Sequence, residues 1–238
     1  MQAGGPHTAN VNQEPRTEAS VATARLREEI VSGAVAPGQK LKLVPLARRY
    51  AVSRGPLREA ASRLAAEGLI TIEDQRGFRV RPISREDLLD VTRTRQRIEV
   101  LALRDAIAHG DLSWEGRVMS TTHMLERVTD HDGTPQARAA FGEHHRAFHE
   151  TLVSACPSAY LLDFRHRLYA LTERYRNLAA EGYASGRGHR DIAQEHRALA
   201  HAVVARDADR ACALLEAHLA ETADMLLAAY PELLGETP

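Results

Sequence analysis

The chain has 238 residues, of which 44% are hydrophobic and 26% are charged, and its formal net charge at pH 7 is −1. This balance is typical of folded globular proteins and excludes a disordered or fibrous chain. No apolar run approaches the roughly 20 residues that a membrane span needs, and the N-terminus has no basic start or apolar centre of a secretion signal. We therefore expect a cytoplasmic protein with no membrane partner and a flexible tail at residues 1–17.

The charges are divided unevenly along the chain. Residues 18–82 carry 12 Arg and Lys against 7 Asp and Glu, a balance of +5, whereas residues 83–238 carry 18 against 24, a balance of −6. A basic part joined to an acidic part is typical of a polyanion-binding module attached to a domain that does not contact the polyanion.

The basic part begins with three predicted helices. Residues 20–32 place apolar side chains on one side and are followed by Gly33, a common helix stop. Residues 44–50 form a second, shorter helix. Ser53 is a typical N-cap for a third helix, which extends to about Gly68.

Two predicted strands follow these helices. The strands at residues 69–72 and 78–81 are rich in apolar and β-branched side chains, and residues 74–77 form a tight turn between them. Three helices followed by a hairpin with basic side chains predict a winged helix-turn-helix domain over residues 18–82.

The acidic part has helical periodicity throughout. Ser84 begins this pattern. The acidic residues that follow it lie in the first turn, where the helix dipole stabilises negative charge. The predicted breaks lie near Gly110, Asp132-Gly133, Pro157, Gly186-Arg187-Gly188 and Arg206-Asp207. The sequence therefore predicts an all-α bundle of about six helices over residues 83–238, and a mainly α protein as a whole.

The third helix carries the side chains that point most directly to DNA binding. Arg54 and Arg58 lie one turn apart, and Leu57 and Leu64 lie about 90° away around the helix. With the leucines buried, the arginines project outward, where they can pair bidentately with guanine edges in the major groove.

Other residues of this part are placed to contact phosphates or the minor groove. The hydroxyl of Ser53 and the helix N-terminus can meet a phosphate, and Gly55 permits close backbone approach. The remaining predicted DNA contacts are Arg48 and Arg49 on the second helix and Arg76 and Gly77 in the wing.

The segment that carries these residues reads PGQKLKLVPLARRYAVSRGPLREAASRLAAEGLITIEDQRGFRVRPIS. Over residues 20–84 the chain resembles the GntR family of transcription regulators and, within it, the FadR-type subfamily. It departs from the family pattern at Gly55-Pro56, where a small polar residue often follows the arginine. The resemblance implies a homodimeric repressor that binds a short palindromic operator.

The acidic part resembles the FCD domain, the helical ligand-binding half of FadR-type regulators. The resemblance rests on the segments REDLLDVTRTRQRIEVLALRDA, HHRAFHETLVSA and EHRALAHAVVARDADRACALLEAHL. In that family three histidines and an aspartate bind a divalent metal. The matching residues here are His149, His196 and His218, and His145 stands at the position of the aspartate.

The periodicity independently turns these four histidines toward the bundle interior. His145 and His149 are an i,i+4 pair on a face that also holds apolar side chains. Imidazole ligands favour zinc or nickel, whereas a carboxylate helps to retain manganese. Three outcomes stay open: a closed tetrahedral structural site, a six-coordinate site with positions for an effector, or a pocket that has lost the metal and binds its ligand directly.

The predicted effector is a small organic acid or sugar acid. A metal held only by neutral imidazoles keeps its positive charge, and Arg95, which matches the R-x-x-x-E signature of the FCD opening helix, would add to it if it faces the cavity. These charges would attract a carboxylate.

Two alternatives compete with a ligand-controlled regulator. A metal-dependent helical-bundle enzyme is disfavoured because the sequence has no HExxH motif and no Glu-x-x-His pairs on facing helices. Glu143 and Glu195 adjoin the histidines in sequence, but adjacent helical positions diverge by about 100°. A DNA-binding dimer whose C-terminal half is only a scaffold is disfavoured by the four inward histidines. We therefore predict a transcription regulator that is not an enzyme.

Overall fold

The computed structural model describes residues 17–73, 76–128, 134–178 and 191–229. These residues form an N-terminal winged helix-turn-helix and a C-terminal helical bundle, so the predicted mainly α fold is confirmed. Several predicted features lie outside the described residues: most of the tail, Asp74-Gln75 of the wing turn, and the breaks at Asp132-Gly133 and Gly186–Gly188.

The N-terminal part consists of α1 (Glu18–Val31), β1 (Lys40–Leu41), α2 (Leu43–Tyr50), α3 (Arg54–Ala66), β2 (Ile70–Glu73) and β3 (Gly77–Val80). The strands form one antiparallel sheet in the order β1-β3-β2, in which Leu41 pairs with Phe78 and Ile70 with Val80. Helices α1 and α3 pack on each other and bury Leu26, Leu57 and Leu64 completely. This core holds α3 against the sheet.

The structure differs from the sequence expectations in a few local details. Helix α1 begins at Glu18, two residues early, because the Thr17 hydroxyl caps it by accepting the Ser20 N–H at 3.1 Å. Helix α3 ends at Ala66 and is followed by Gly68 at φ +82°. Strand β1 was not predicted, because a two-residue strand has no periodicity of its own.

The C-terminal part consists of α4 (Arg85–His109), α5 (Leu112–Arg127), α6 (Pro135–Val153), α7 (Ala159–Leu178), α8 (Ile192–Val204) and α9 (Ala208–Ala229). The Ser84 hydroxyl caps α4 by accepting the Asp87 N–H at 3.0 Å, as the sequence predicts. Three of the predicted helix breaks, at Gly110, Pro157 and Arg206, lie between helices in the structure. Arg206 adopts a left-handed backbone with φ +60°.

Helix α4 packs against α6, α7 and α9, and α5 packs against α6 and α8. Their shared core includes Trp114 and Phe148, both fully buried, and the indole N–H of Trp114 donates to the Thr151 carbonyl at 2.8 Å. Helix α7 also contacts α1 of the N-terminal part. Within the described ranges, none of the helices combines the length and apolarity needed to cross a membrane.

Candidate functional site

The third helix of the winged helix-turn-helix presents its predicted polar face to solvent. Arg54 and Arg58 are exposed, whereas Leu57 and Leu64 are completely buried. The Arg58 guanidinium lies 5.8 Å from the centre of the Phe78 ring, so this side chain also contacts the base of the wing. Both arginines are available on one open surface.

The residues around the N-terminus of α3 are equally accessible. Ser53 occupies the N-cap position with an extended backbone, and its exposed side chain makes no capping hydrogen bond. A Cβ atom on Gly55 would meet nothing within 4 Å. Since no neighbouring group of the protein requires glycine there, the open backbone is free for an external partner.

The other predicted DNA-contact residues also lie at the surface. Arg48, Arg76 and Gly77 are exposed, and Gly77 adopts φ +97°, a backbone conformation that favours glycine. Arg49 is exposed as well, but it forms an ion pair with Glu29 of α1. A phosphate contact by Arg49 therefore requires that this ion pair open or be shared.

The wing also contains an arginine that the protein uses internally. The Arg79 guanidinium pairs with Glu73 at 2.6 Å and donates to the Gly38 carbonyl at 2.5 Å. These contacts tie β3 to β2 and to the turn before β1. Arg79 therefore stabilises the wing and is a poorer candidate for a DNA contact than Arg76.

The four predicted metal-ligating histidines converge in the C-terminal bundle. His145 and His149 come from α6, His196 from α8 and His218 from α9, and each is at most 6% exposed. One ring nitrogen of each lies within 4.8 Å of the corresponding nitrogens of the others. Two ligands on opposite sides of one ion, each about 2.1 Å away, lie about 4.2 Å apart, so this spread is close to what a single ion requires.

The chemistry of the cluster also fits a metal ion. Burial lowers the pKa of both His145 and His149 well below the usual value of 6.5, and the neighbouring Arg176 cation lowers that of His145 further. Both rings are therefore neutral at pH 7, the form in which imidazole binds metals. Among the described residues, neither buried ring nitrogen of His149 has a hydrogen-bond partner, and a coordinated cation would satisfy one of them.

A carboxylate supports the cluster, contrary to the expectation that none would. The Glu195 Oε2 atom lies 2.8 Å from Nδ1 of His218. Sequence reasoning compared Glu195 only with its neighbour His196 and so missed this contact, which joins α8 to α9. A carboxylate on one nitrogen orients the ring and leaves Nε2 for a metal.

Helix α7 brings two further groups to His145. The Tyr169 hydroxyl lies 3.2 Å from Nδ1 of His145, and Nη1 of Arg176 lies 2.7 Å from the same atom. No motif in the sequence indicated either residue, because both depend on how α7 packs beside α6.

Arg95, the predicted effector-binding residue, is only 2% exposed. It forms an i,i+4 ion pair with Glu99 at 2.5 Å, and its guanidinium lies 4.7 Å from the centre of the Tyr169 ring. Arg165 lies 3.5 Å from the same carboxylate. The structure thus places Arg95 in a buried ionic network beside the cluster.

A cavity of about 70 Å³ opens beside the histidine cluster. Its walls include His145 and His218 together with Arg138, Phe141, Gly142, Glu173, Arg176, Asn177, Ile192 and Thr222. Arg95 is not among these residues, and the arginines of the wall are Arg138 and Arg176. The cavity therefore brings two histidines of the cluster together with two arginines and the Glu173 carboxylate.

Comparison with known proteins identifies both parts of the chain. Residues 18–80 match the family of bacterial regulatory proteins of the gntR type, and residues 90–221 match the FCD domain. The chain is 40% identical over 197 residues to the HTH-type transcriptional regulator BphR of Paraburkholderia xenovorans, covering 82% of this chain and 79% of that protein.

A second relative is the HTH-type transcriptional repressor GlaR of Escherichia coli, which is 37% identical over 195 residues, 82% of this chain and 89% of that protein. The solved structure of McbR/YncC from E. coli has the same fold, with a TM-score of 0.75 at 18% identity over 90% of this chain and 99% of that one. The matched families and these relatives are regulators, not enzymes. The chain therefore belongs to the GntR family, with a C-terminal FCD domain, and is a DNA-binding transcription regulator.

Proposed function

We propose that this protein is a homodimeric repressor whose two winged helices bind a short palindromic operator and whose FCD domain binds a metal and a small carboxylate effector. The observation that carries the proposal is the pairing of an open basic α3 surface with a separate buried cluster of four histidines beside a cavity. We assign residues 18–82 to DNA binding and residues 83–238 to effector binding and dimerisation, in the cytoplasm, where the operator is accessible.

Within the DNA-binding domain we assign base contacts to Arg54 and Arg58. Because buried leucines about 90° around the helix hold α3 in the domain, these arginines can enter the major groove without disturbing the core. Ser53, Arg48 and Arg49 would contact phosphates on either side of the groove. Gly55 would allow close backbone approach, and Arg76 and Gly77 of the wing would reach the minor groove.

We assign zinc or nickel to His145, His149, His196 and His218. Four neutral imidazoles without a direct carboxylate ligand suit these ions better than manganese or magnesium. A bound ion would supply a positive charge that polarises or attracts an anionic ligand. The buried ring nitrogens of His149 have no hydrogen-bond partner in the part of the chain that the structure describes, which supports this assignment over a purely structural set of histidines.

Metal content is measured directly on the purified protein. We expect about one zinc or nickel per chain by elemental analysis, lost in His149→Leu and retained in His144→Leu, the control from the same helix. If both variants retained the same metal content per chain as the wild type, the metal would not bind at the histidine cluster.

For the effector, Arg176 is a better candidate than Arg95. Arg176 lines the cavity, where it also contacts Glu173, His145 and Tyr169, whereas the Arg95 guanidinium is almost fully buried against Glu99 and is not part of the wall. Removing Arg95 would also leave the buried Glu99 carboxylate with only the longer ion pair to Arg165, which destabilises the fold, so a loss of binding in Arg95→Ala would have two explanations. Calorimetry against a panel of small organic and sugar acids, with Arg176→Gln for comparison, tests the assignment without that complication.

The decisive experiment is the selection of bound fragments from sheared genomic DNA of the source organism, using purified protein at physiological salt. Enrichment of a short palindrome upstream of a few genes supports the repressor, and the enzymes encoded nearby indicate the class of acid to try first. No enrichment, with and without a chelator, would contradict the proposed operator binding.

A further inference from the structure

Helix α7 contacts both the ligand-binding region and the DNA-binding domain. Arg176 and Glu173, near its end, line the cavity, and Arg176 touches His145 of the metal cluster. Leu171, on another side of the same helix, packs against the core of the winged helix-turn-helix. A change at the cavity can therefore reach the DNA-binding domain through a single rigid element.

The contact with α1 is close. The side-chain amide of Asn177 donates from Nδ2 to the main-chain carbonyl of Val31 at 3.0 Å. Val31 is the last residue of α1, and such carbonyls have no partner within their own helix. Gly33 follows at φ +84°, and a Cβ atom there would lie 2.8 Å from Cδ2 of Leu178. The end of α7 thus holds the end of α1.

Helix α7 also holds the connection between the domains. Nη1 of Arg174 donates to the Arg81 carbonyl at 2.7 Å, and Arg174 is completely buried. The Tyr175 hydroxyl donates to Oδ2 of Asp87 at 2.7 Å and lies 3.3 Å from the main-chain nitrogen of Ser84. These contacts position the junction, and neither Arg174 nor Tyr175 is among the residues that line the cavity.

Asn177 alone among these contacting residues also lines the cavity. Asn177 thus contacts both the cavity and the last turn of α1, which packs on the recognition helix α3. A carboxylate accepts hydrogen bonds more strongly than a neutral carbonyl does. A carboxylate ligand that binds the Asn177 amide from the cavity side therefore draws the side chain away from the Val31 carbonyl.

We infer that Asn177 couples occupation of the cavity to DNA binding, an inference that rests on the proposed function. Its amide bonds Val31 and turns toward a carboxylate ligand that binds in the cavity, which releases the end of α1 and loosens α3 in the operator. Asn177 is a positioning residue in this scheme, because it acts on DNA only through α1.

The test replaces the amide without using an effector. Asn177→Leu removes the donor and mimics the released state, and Asn177→Gln keeps an amide. Arg167→Ala is the control on the same helix, where the partly exposed Arg167 pairs with Asp163. Two readouts are measured on the full chain: operator affinity by fluorescence anisotropy, and hydrogen exchange of the backbone amides at residues 31–35.

We expect Asn177→Leu to weaken operator binding about 2- to 12-fold, the range that one net hydrogen bond supplies, and to accelerate exchange at residues 31–35. Asn177→Gln should lie between this variant and the wild type, and Arg167→Ala should match the wild type. Unchanged or tighter operator binding by Asn177→Leu, or unchanged exchange, would overturn the coupling role. Absence of operator binding by the wild type would instead count against the proposed function, and the exchange data would still test the α1 contact.

Discussion

At the scale of single residues, the two classes of arginine on the DNA-binding surface make different predictions. Arg54→Ala removes a proposed base contact, so we expect a loss of about 1–3 kcal/mol on the operator and a relaxed base preference. Arg48→Ala removes a proposed phosphate contact and should weaken binding evenly across sequences. Anisotropy titrations on operator and random duplexes measure both effects. Equal losses on the two duplexes for Arg54→Ala would contradict its role in base recognition.

The carboxylate behind His218 gives a second prediction. Glu195→Gln keeps the shape of the side chain but weakens the hydrogen bond that orients the imidazole, so we expect zinc affinity to fall about 10- to 100-fold. Competition with a chromogenic chelator measures this affinity. Glu143→Gln, an exposed residue of α6, is the matched control and should bind zinc as the wild type does. Loss in both variants would show a general effect of charge.

The buried histidines predict how the metal-free protein responds to acid. Burial lowers the pKa of His149 in the folded protein well below 6.5, whereas its pKa in the unfolded chain is about 6.5. Below that pH the unfolded state takes up a proton that the folded state does not, so the free energy of unfolding decreases by up to about 1.4 kcal/mol per pH unit for this residue. Above about pH 7 both states are neutral and the dependence vanishes.

Urea unfolding in the presence of a chelator, between pH 7.5 and 5.5, measures this dependence. The wild type should lose stability with acid more steeply than His149→Leu, because the variant lacks one proton-binding site of the unfolded chain. Identical slopes would contradict the assignment of His149 as a buried neutral imidazole.

At the scale of elements, the meeting of α1 and α7 depends on Gly33. Gly33→Ala places a Cβ atom against Leu178 and strains a left-handed backbone, so we expect a loss of more than the roughly 1–2 kcal/mol that the backbone strain costs alone. Gly38→Ala has a similar strain, at φ +72°, but meets nothing within 4 Å. The difference between the two variants in thermal unfolding reports the α1–α7 contact, and equal losses would show that this contact is loose.

The elements also show where sequence reasoning worked. Periodicity, Ser84 as a cap and Gly110 as a break predicted the long helices and their limits, because such signals are local. The two-residue strand β1 could not be predicted, since it exists only through its pairing with β3. Periodicity alone did not separate Val21, which is 37% exposed, from Ala22 and Leu26, which fill the core.

At the scale of the whole molecule, the proposed dimer sets the form of the operator. Two winged helices related by a two-fold axis require half-sites of matching sequence, about 10 base pairs or a multiple apart. We expect light scattering to give a protein mass of twice the chain mass, both for the free protein and for the protein component of the DNA complex. Inserting five base pairs between the half-sites should abolish tight binding, whereas ten should restore part of it. Insensitivity to spacing would argue against simultaneous binding by two heads.

The sequence by itself determined the division into a basic DNA-binding domain and an acidic helical domain. It also determined the outward face of α3 and the four histidines of the cluster. These features follow from composition, periodicity and motif, which are properties of neighbouring positions. Only the tertiary structure decided which partners meet across helices: Glu195 with His218, Arg176 with His145, and Asn177 with Val31. It also enclosed the i,i+4 pair of Arg95 and Glu99 away from the cavity wall, because the packing of α4 on α7 decides which side chains are buried.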